Sequence, residues 1–286
     1  MDLSPLFDLV GRAIPIDCMQ YPFMQRALVV LLLISPACAA LGVPVVNARM
    51  AFFSDAIGHS AFAGAAIGML AAVDVRVSMA AFAVLIGISV TAIVRKGKLP
   101  SDTAIGVLLS ASVAFGLAVA SRPGFSGRVP AFLFGDILAL SDADVLRAFG
   151  LLALVALFQV AAGNRVLYAG LCPSLAKAHG VRVALWDYVF AILVALVSIF
   201  AVQAMGVLLV TAMIVVPAAT GRRLATSLGG MFRWSVLAGT TSAAGGLVLS
   251  AQPFVGVATG PAIVLCAVAW FVAASVASAI RDRAAA

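Results

Sequence analysis

Apolar residues run along this chain in blocks of about twenty, parted by short clusters of Arg, Lys, Asp, Gly and Pro. At 1.5 Å per helical residue, a block of about that length crosses the ~30 Å hydrocarbon core of a bilayer. Nine blocks fit: 26–46, 52–73, 77–94, 101–121, 145–162, 185–202, 206–220, 232–251 and 259–280. The first holds Pro36, Gly42 and Pro44 and is expected to bend or break in its second half. Ser101 or Asp102 is the expected N-cap of the fourth, and a tight connection at Gln203 is expected between the sixth and seventh. Residues 131–140 are apolar but too few to span, which predicts a short re-entrant or interfacial helix. The pattern predicts an all-α, polytopic transmembrane helical bundle of about nine spans, with eight as the alternative. It forms one domain: four spans in 22–121, an outer loop at 122–144, a fifth span at 145–162, a cytoplasmic loop at 163–184, and four more spans in 185–280.

Composition sharpens this. The 286 residues are 64% hydrophobic and only 10% charged, where a soluble domain carries about 25% charged residues. All eleven acidic residues are Asp. The net charge of +7 therefore reads as membrane orientation, not nucleic-acid binding, because Lys and Arg collect in cytoplasmic loops. With Lys96 inside, alternation through nine spans leaves twelve cations inside and six outside. That favours an outside N-terminus and an inside C-terminus, and the bias largely vanishes if 131–140 is made to span. Asp2 and Asp8 stand where a basic leader would lie, so no cleavable signal is expected, and 3–14 suits a short interfacial helix. The cysteines Cys18, Cys38, Cys172 and Cys266 form no CxxC and read as apolar filler.

Candidate chemistry concentrates in the second block, FFSDAIGHSAFAGAAIG from Phe52 to Gly68. Asp55 and His59 are four apart and share one helix face. An ionisable pair inside a span faces the bundle interior or a wet cavity and defaults to function over packing. It suits either a transition-metal site or a proton relay. Two ligands are too few for a closed structural site, while a loose site is what a transported ion needs. Ser54 and Ser60 beside the pair, and Asp136 near the outer side, are possible path-lining groups; Asp136 equally suits capping the short helix. Gly64 and Gly68 predict close approach of a neighbouring helix. In the inner loop NRVLYAGLCPSLAKAHGVR, Pro173 and Gly180 bracket a seven-residue helix ending at His179. It is too short to stand alone and must dock. His179 reads as a solvated or interface residue, and two histidines in all exclude a multi-histidine site within one chain.

Four segments together resemble the ABC-3 permeases, the membrane subunits of zinc, manganese and iron ABC importers. They are PFMQRAL at 22–28, RMAFFSDAIGHS at 49–60, LFGDIL at 133–138, and MGVLLV at 205–210 with VPAAT at 216–220. The resemblance implies a bacterial inner-membrane permease that works as a homodimer around a central path. It implies two cytoplasmic ATPase subunits as partners, and an extracytoplasmic solute-binding protein that delivers the metal. Zn²⁺, or Mn²⁺ or Fe²⁺, is then substrate, with no permanently bound cofactor. Asp55 and His59 fall on the family's translocation motif. Pro173, Ser174, Leu175, Ala176, Lys177, His179 and Gly180 fall on its ATPase-coupling helix, where Cys172 and Ser174 replace acidic residues that often flank the proline.

No GxxxxGK[ST] occurs, so the chain itself is not expected to hydrolyse ATP. Two other classes stay in view. A secondary transporter using the Asp–His pair lacks a convincing inverted repeat. An intramembrane serine hydrolase lacks a GxSxG.

Overall fold

Each apolar block becomes a helix, and what the blocks do not predict is where several of those helices stop. The computed structural model describes residues 20–97, 99–122, 137, 139–252 and 256–285. Among the described residues the nine long helices are α1 (Pro22–Asn47), α2 (Phe53–Leu70), α3 (Val75–Arg95), α4 (Ser101–Ala120), α5 (Asp142–Leu171), α7 (Val183–Met205), α8 (Val207–Leu224), α9 (Leu228–Ser250) and α10 (Thr259–Ala285). A short α6 (Pro173–Ala178) lies between α5 and α7. Among the described residues seven helices are long and apolar enough to cross a membrane: α1, α3, α4, α5, α7, α8 and α10. The remaining two, α2 and α9, carry the polar pair or a run of Gly, Ser and Thr. The short helix expected at 131–140 and the interfacial helix expected at 3–14 lie outside the described residues, or largely so.

Burial orders the layers. In α1, 72% of the most apolar stretch is buried, against 22% in α5 and α10, so α1 is central and those two present broad apolar faces outward. α1 packs on α5, α8 and α9, and α2 on α3, α4, α7 and α8. The α2–α3 hairpin closes tightly, as the small residues predict. A Cβ on Gly64 would stand 2.7 Å from Met79 Cα, and Ser78 Oγ donates to the Gly64 carbonyl at 2.7 Å. Ion pairs tie the N-terminal ends of α1, α3 and α5: Arg26 to Asp142 at 2.7 Å, and Asp144 to Arg76 at 3.8 Å and to Arg147 at 2.8 Å. Arg95 at the far end of α3 pairs with Asp187 at the start of α7.

Four expectations are corrected. First, α1 is unbroken, with Pro36 and Pro44 inside it. Pro44 leaves the Ala40 carbonyl without its intrahelical donor, and Gln159 Nε2 on α5 donates to it at 3.0 Å. Second, α5 does not stop at Ala162. It runs to Leu171, because Leu167 packs with Val43, Ala218 and Met231, and Ala169 packs with Ala176 and Val183. Third, Gln203 is no turn: α7 continues through it to Met205, and Gly206 alone joins α7 to α8 at φ 85°, ψ 159°, a conformation open essentially to glycine only. Fourth, Pro100 occupies the N-cap of α4 and makes no side-chain cap bond; Ser101 and Asp102 lie inside the first turn.

Candidate metal-translocation site

Asp55 sits in the first turn of α2, with His59 one turn on. Their facing atoms, Asp55 Oδ1 and His59 Nε2, are 3.6 Å apart, at ion-pair rather than hydrogen-bond distance. Both are accessible, with 27% of the Asp55 side chain and 36% of the His59 side chain exposed. The other polar groups of this stretch differ. Ser60 is buried and donates to the Ile57 carbonyl at 2.6 Å. Ser54 is also buried, and its Oγ has no hydrogen-bond partner among the described residues. Only the Asp–His face of this turn thus reaches open space. Asp136 lies outside the described residues.

The neighbouring wall is α8. Thr211 Oγ1 donates to Asp55 Oδ1 at 3.2 Å, across 156 residues of sequence. Thr211 stands thirteen residues before the end of α8 at Leu224, about 20 Å along the axis. The pair therefore lies far from the Arg222–Arg223 end of that helix, although it opens α2. The close approach is local. A Cβ on Gly58 would stand 3.1 Å from Val207 Cγ1 and 3.6 Å from Val202 Cγ2, so the end of α7 and the start of α8 both press on α2.

Thr211 was not legible as a site residue. A lone Thr in an apolar span ordinarily bonds back to its own helix, and this one also lies 3.3 Å from the Val207 carbonyl. Gly206, five residues earlier, stands in the sequence, but its Gly-only conformation is visible only in the structure.

Among the described residues, no group of three or more His, Cys, Asp or Glu converges in one chain. A single chain thus offers two metal donors and one hydroxyl here. A separate cavity of about 210 Å³ lies beside the start of α2, lined by Met50, Phe53, Thr91, Arg95, Asp187 and Phe190 among others. It does not include Asp55 or His59.

The inner-loop helix takes the bracketed form. Pro173 opens α6 and Gly180 follows it at φ 74°. The helix ends one residue sooner than expected, at Ala178, with His179 as its C-cap. Ala176 docks it, buried against Ala169 and Val183, while Ser174, Leu175, Lys177, His179 and Gly180 are exposed.

The ABC 3 transport family profile matches residues 20–278 of this chain. The manganese import system permease protein ScaB of Streptococcus parasanguinis is 31% identical over 252 residues, 88% of this chain and 89% of that protein. The high-affinity zinc uptake system membrane protein ZnuB of Haemophilus influenzae is 28% identical over 253 residues, 88% of this chain and 96% of its own. The solved structure of PsaBC from Streptococcus pneumoniae in complex with Fab is similar with a TM-score of 0.77 and 30% identity, over 95% of each chain.

Proposed function

The chain belongs to the ABC 3 transport family, and on that premise we propose that it passes a divalent transition metal, zinc first, through a path lined by Asp55 and His59. It is the permease subunit of an ABC metal importer, and its all-helical, membrane-embedded build serves that role. The observation that carries the site is the accessible Asp–His face on α2, held against α8.

Two donors from one chain make a loose site, and a second copy of the chain would supply two more. Beside the pair, α8 leaves a stripe open along one face: Leu208 (85% exposed), then Thr211, Ala212, Val215 and Ala219. Such a stripe suits a partner helix, and a homodimer would bring two Asp and two His to one path. The donor chemistry supports zinc, because a His/carboxylate set binds zinc more tightly than manganese. The second reading is manganese or iron, favoured by the manganese-named relative at 31% identity.

The path runs inward, with the N-terminus outside and the C-terminus inside, as the cation distribution favours. A solute-binding protein delivers the ion at the end where Arg26, Arg76 and Arg147 pair with Asp142 and Asp144. The ATPase subunits engage α6 at the other end, where half-exposed Leu175 beside Lys177 offers an apolar and a basic contact.

The test is zinc uptake into proteoliposomes holding this subunit with its co-expressed partners, with and without ATP, and with manganese as competitor. ATP-dependent zinc uptake that excess manganese does not suppress is the expected result. Suppression by manganese would move the substrate and leave the mechanism. Uptake that ignores ATP and follows a proton gradient would refute the importer reading in favour of a secondary transporter.

The coupling helix makes a separate prediction. Gly180→Val forces a side chain into the left-handed region at a cost of about 1–2 kcal/mol, at a site with open space around it. The helix end should shift, and ATP hydrolysis should continue with much less metal moved per ATP. Unaltered stoichiometry in reconstituted vesicles would count against α6 as the coupling element.

A further inference from the structure

Thr211 belongs to α8, yet its hydroxyl meets the carboxylate of α2. A hydroxyl has one proton to give, and two acceptors compete for this one: Asp55 Oδ1 at 3.2 Å and the Val207 carbonyl at 3.3 Å. His59 Nε2 faces the same oxygen of Asp55. One carboxylate oxygen is therefore engaged from two sides.

We propose that Thr211 is a positioning and selectivity residue of this site: by donating to Asp55 Oδ1 it keeps the carboxylate from chelating an ion through both oxygens. Single-oxygen ligation suits a small four-coordinate ion, whereas a larger ion of higher coordination gains from a carboxylate that offers both. The donor also fixes the carboxylate's rotation, and outer hydrogen bonds of that kind command about 10–100-fold in metal affinity. Because Thr211 lies five residues past the Gly206 joint, any rotation of α8 about that joint makes or breaks this bond. The inference rests on the reading that Asp55 and His59 bind the transported metal.

The test compares the parent with T211V and T211S in the reconstituted transporter, alongside D55A and H59A. Valine keeps the volume and removes the donor; serine keeps the donor and removes the methyl. T211V is expected to raise KM for zinc roughly 10–100-fold, with a maximal rate close to the parent's, and to let manganese compete better. T211S should restore both toward the parent. A T211V transporter with the parent's KM and the parent's discrimination would overturn the inference, as would T211S failing as badly as T211V, because the methyl's packing would then be what matters. If D55A and H59A transport at the parent's rate, the underlying site falls and this inference with it. If they are dead while T211V is silent, only this inference falls.

Discussion

Alanine at either Asp55 or His59 is expected to abolish metal uptake and to leave a folded subunit that still assembles with its ATPase. The fold does not depend on either side chain. Both are partly open, and neither fills the buried cluster formed by Phe53, Ala56, Ile57 and Ala61 on the opposite faces of the same helix. Asp55→Ala gains a few tenths of a kcal/mol in helix propensity and loses about 0.3–1 kcal/mol of attraction to the positive N-terminal end of α2, which nearly cancel. The metal has no such compensation. Each chain offers two donors, so losing one exceeds the ~10–100-fold that outer contacts command. Charge sharpens the expectation: a divalent ion in a low-dielectric path needs an anion beside it, so Asp55→Asn, which keeps an oxygen and loses the charge, should fail as well. Uptake, co-purification of the ATPase and basal ATP hydrolysis would be measured together. Parental uptake by the alanine variants would remove the site assignment. Lost assembly would mean that the pair is structural.

The Asp–His pair was legible because its geometry is local: four residues on one helix need no tertiary information to share a face. The blocks were legible for the same reason, and 77–94, 101–121 and 259–280 stand within a few residues of α3, α4 and α10, apart from the C-terminal extension of α10. What was not legible came from partners far away in sequence. Two prolines in α1 argue for a break, yet at Pro44 the Ala40 carbonyl receives its donor from Gln159, 119 residues on. Asn164 and Arg165 look like the start of a loop, but α5 continues because Leu167 and Ala169 find cover on α1, α6, α8 and α9. Thr211 reads as an ordinary back-bonded threonine until a carboxylate 156 residues away is placed beside it. Local pattern specified where helices form, and long-range contacts decided where they end and which polar groups meet.

Those long-range contacts also outline a route from the inner loop to Asp55. The exposed α6 leads directly into α7, α7 ends at Met205, one residue turns the chain, and α8 carries Thr211 to Asp55. That route holds two positive-φ glycines, Gly180 before α7 and Gly206 after it, and Gly206 is the single residue between the two long helices. The structure thus places a Gly-only joint between the helix that follows α6 and the helix that touches the site.

Gly206→Ala is therefore expected to damage transport out of proportion to the single methyl it adds. At φ 85° and ψ 159°, a residue with a Cβ is strained by about 1–3 kcal/mol. The joint can relieve that strain only by moving α8 relative to α7. Relief is opposed on the α2 side, where Val202 and Val207 already crowd Gly58, so the start of α8 must pivot. Thr211, one turn along, then loses its register with Asp55. A destabilisation of a few degrees in thermal unfolding is expected, since about 1 kcal/mol moves Tm by roughly 2–4 °C in chains of about this size. Metal uptake should fall at least about tenfold, the equivalent of about 1.4 kcal/mol. Gly106→Ala is the control. That glycine sits within α4 with nothing near its Cβ position, so alanine there should be neutral or stabilising by about 0.5–1 kcal/mol, with transport unchanged. If Gly206→Ala matched the control in both stability and uptake, the joint would not be restricted to glycine, and the route from α6 to Asp55 would have to run elsewhere, the Arg95–Asp187 contact between α3 and α7 being the next place to look.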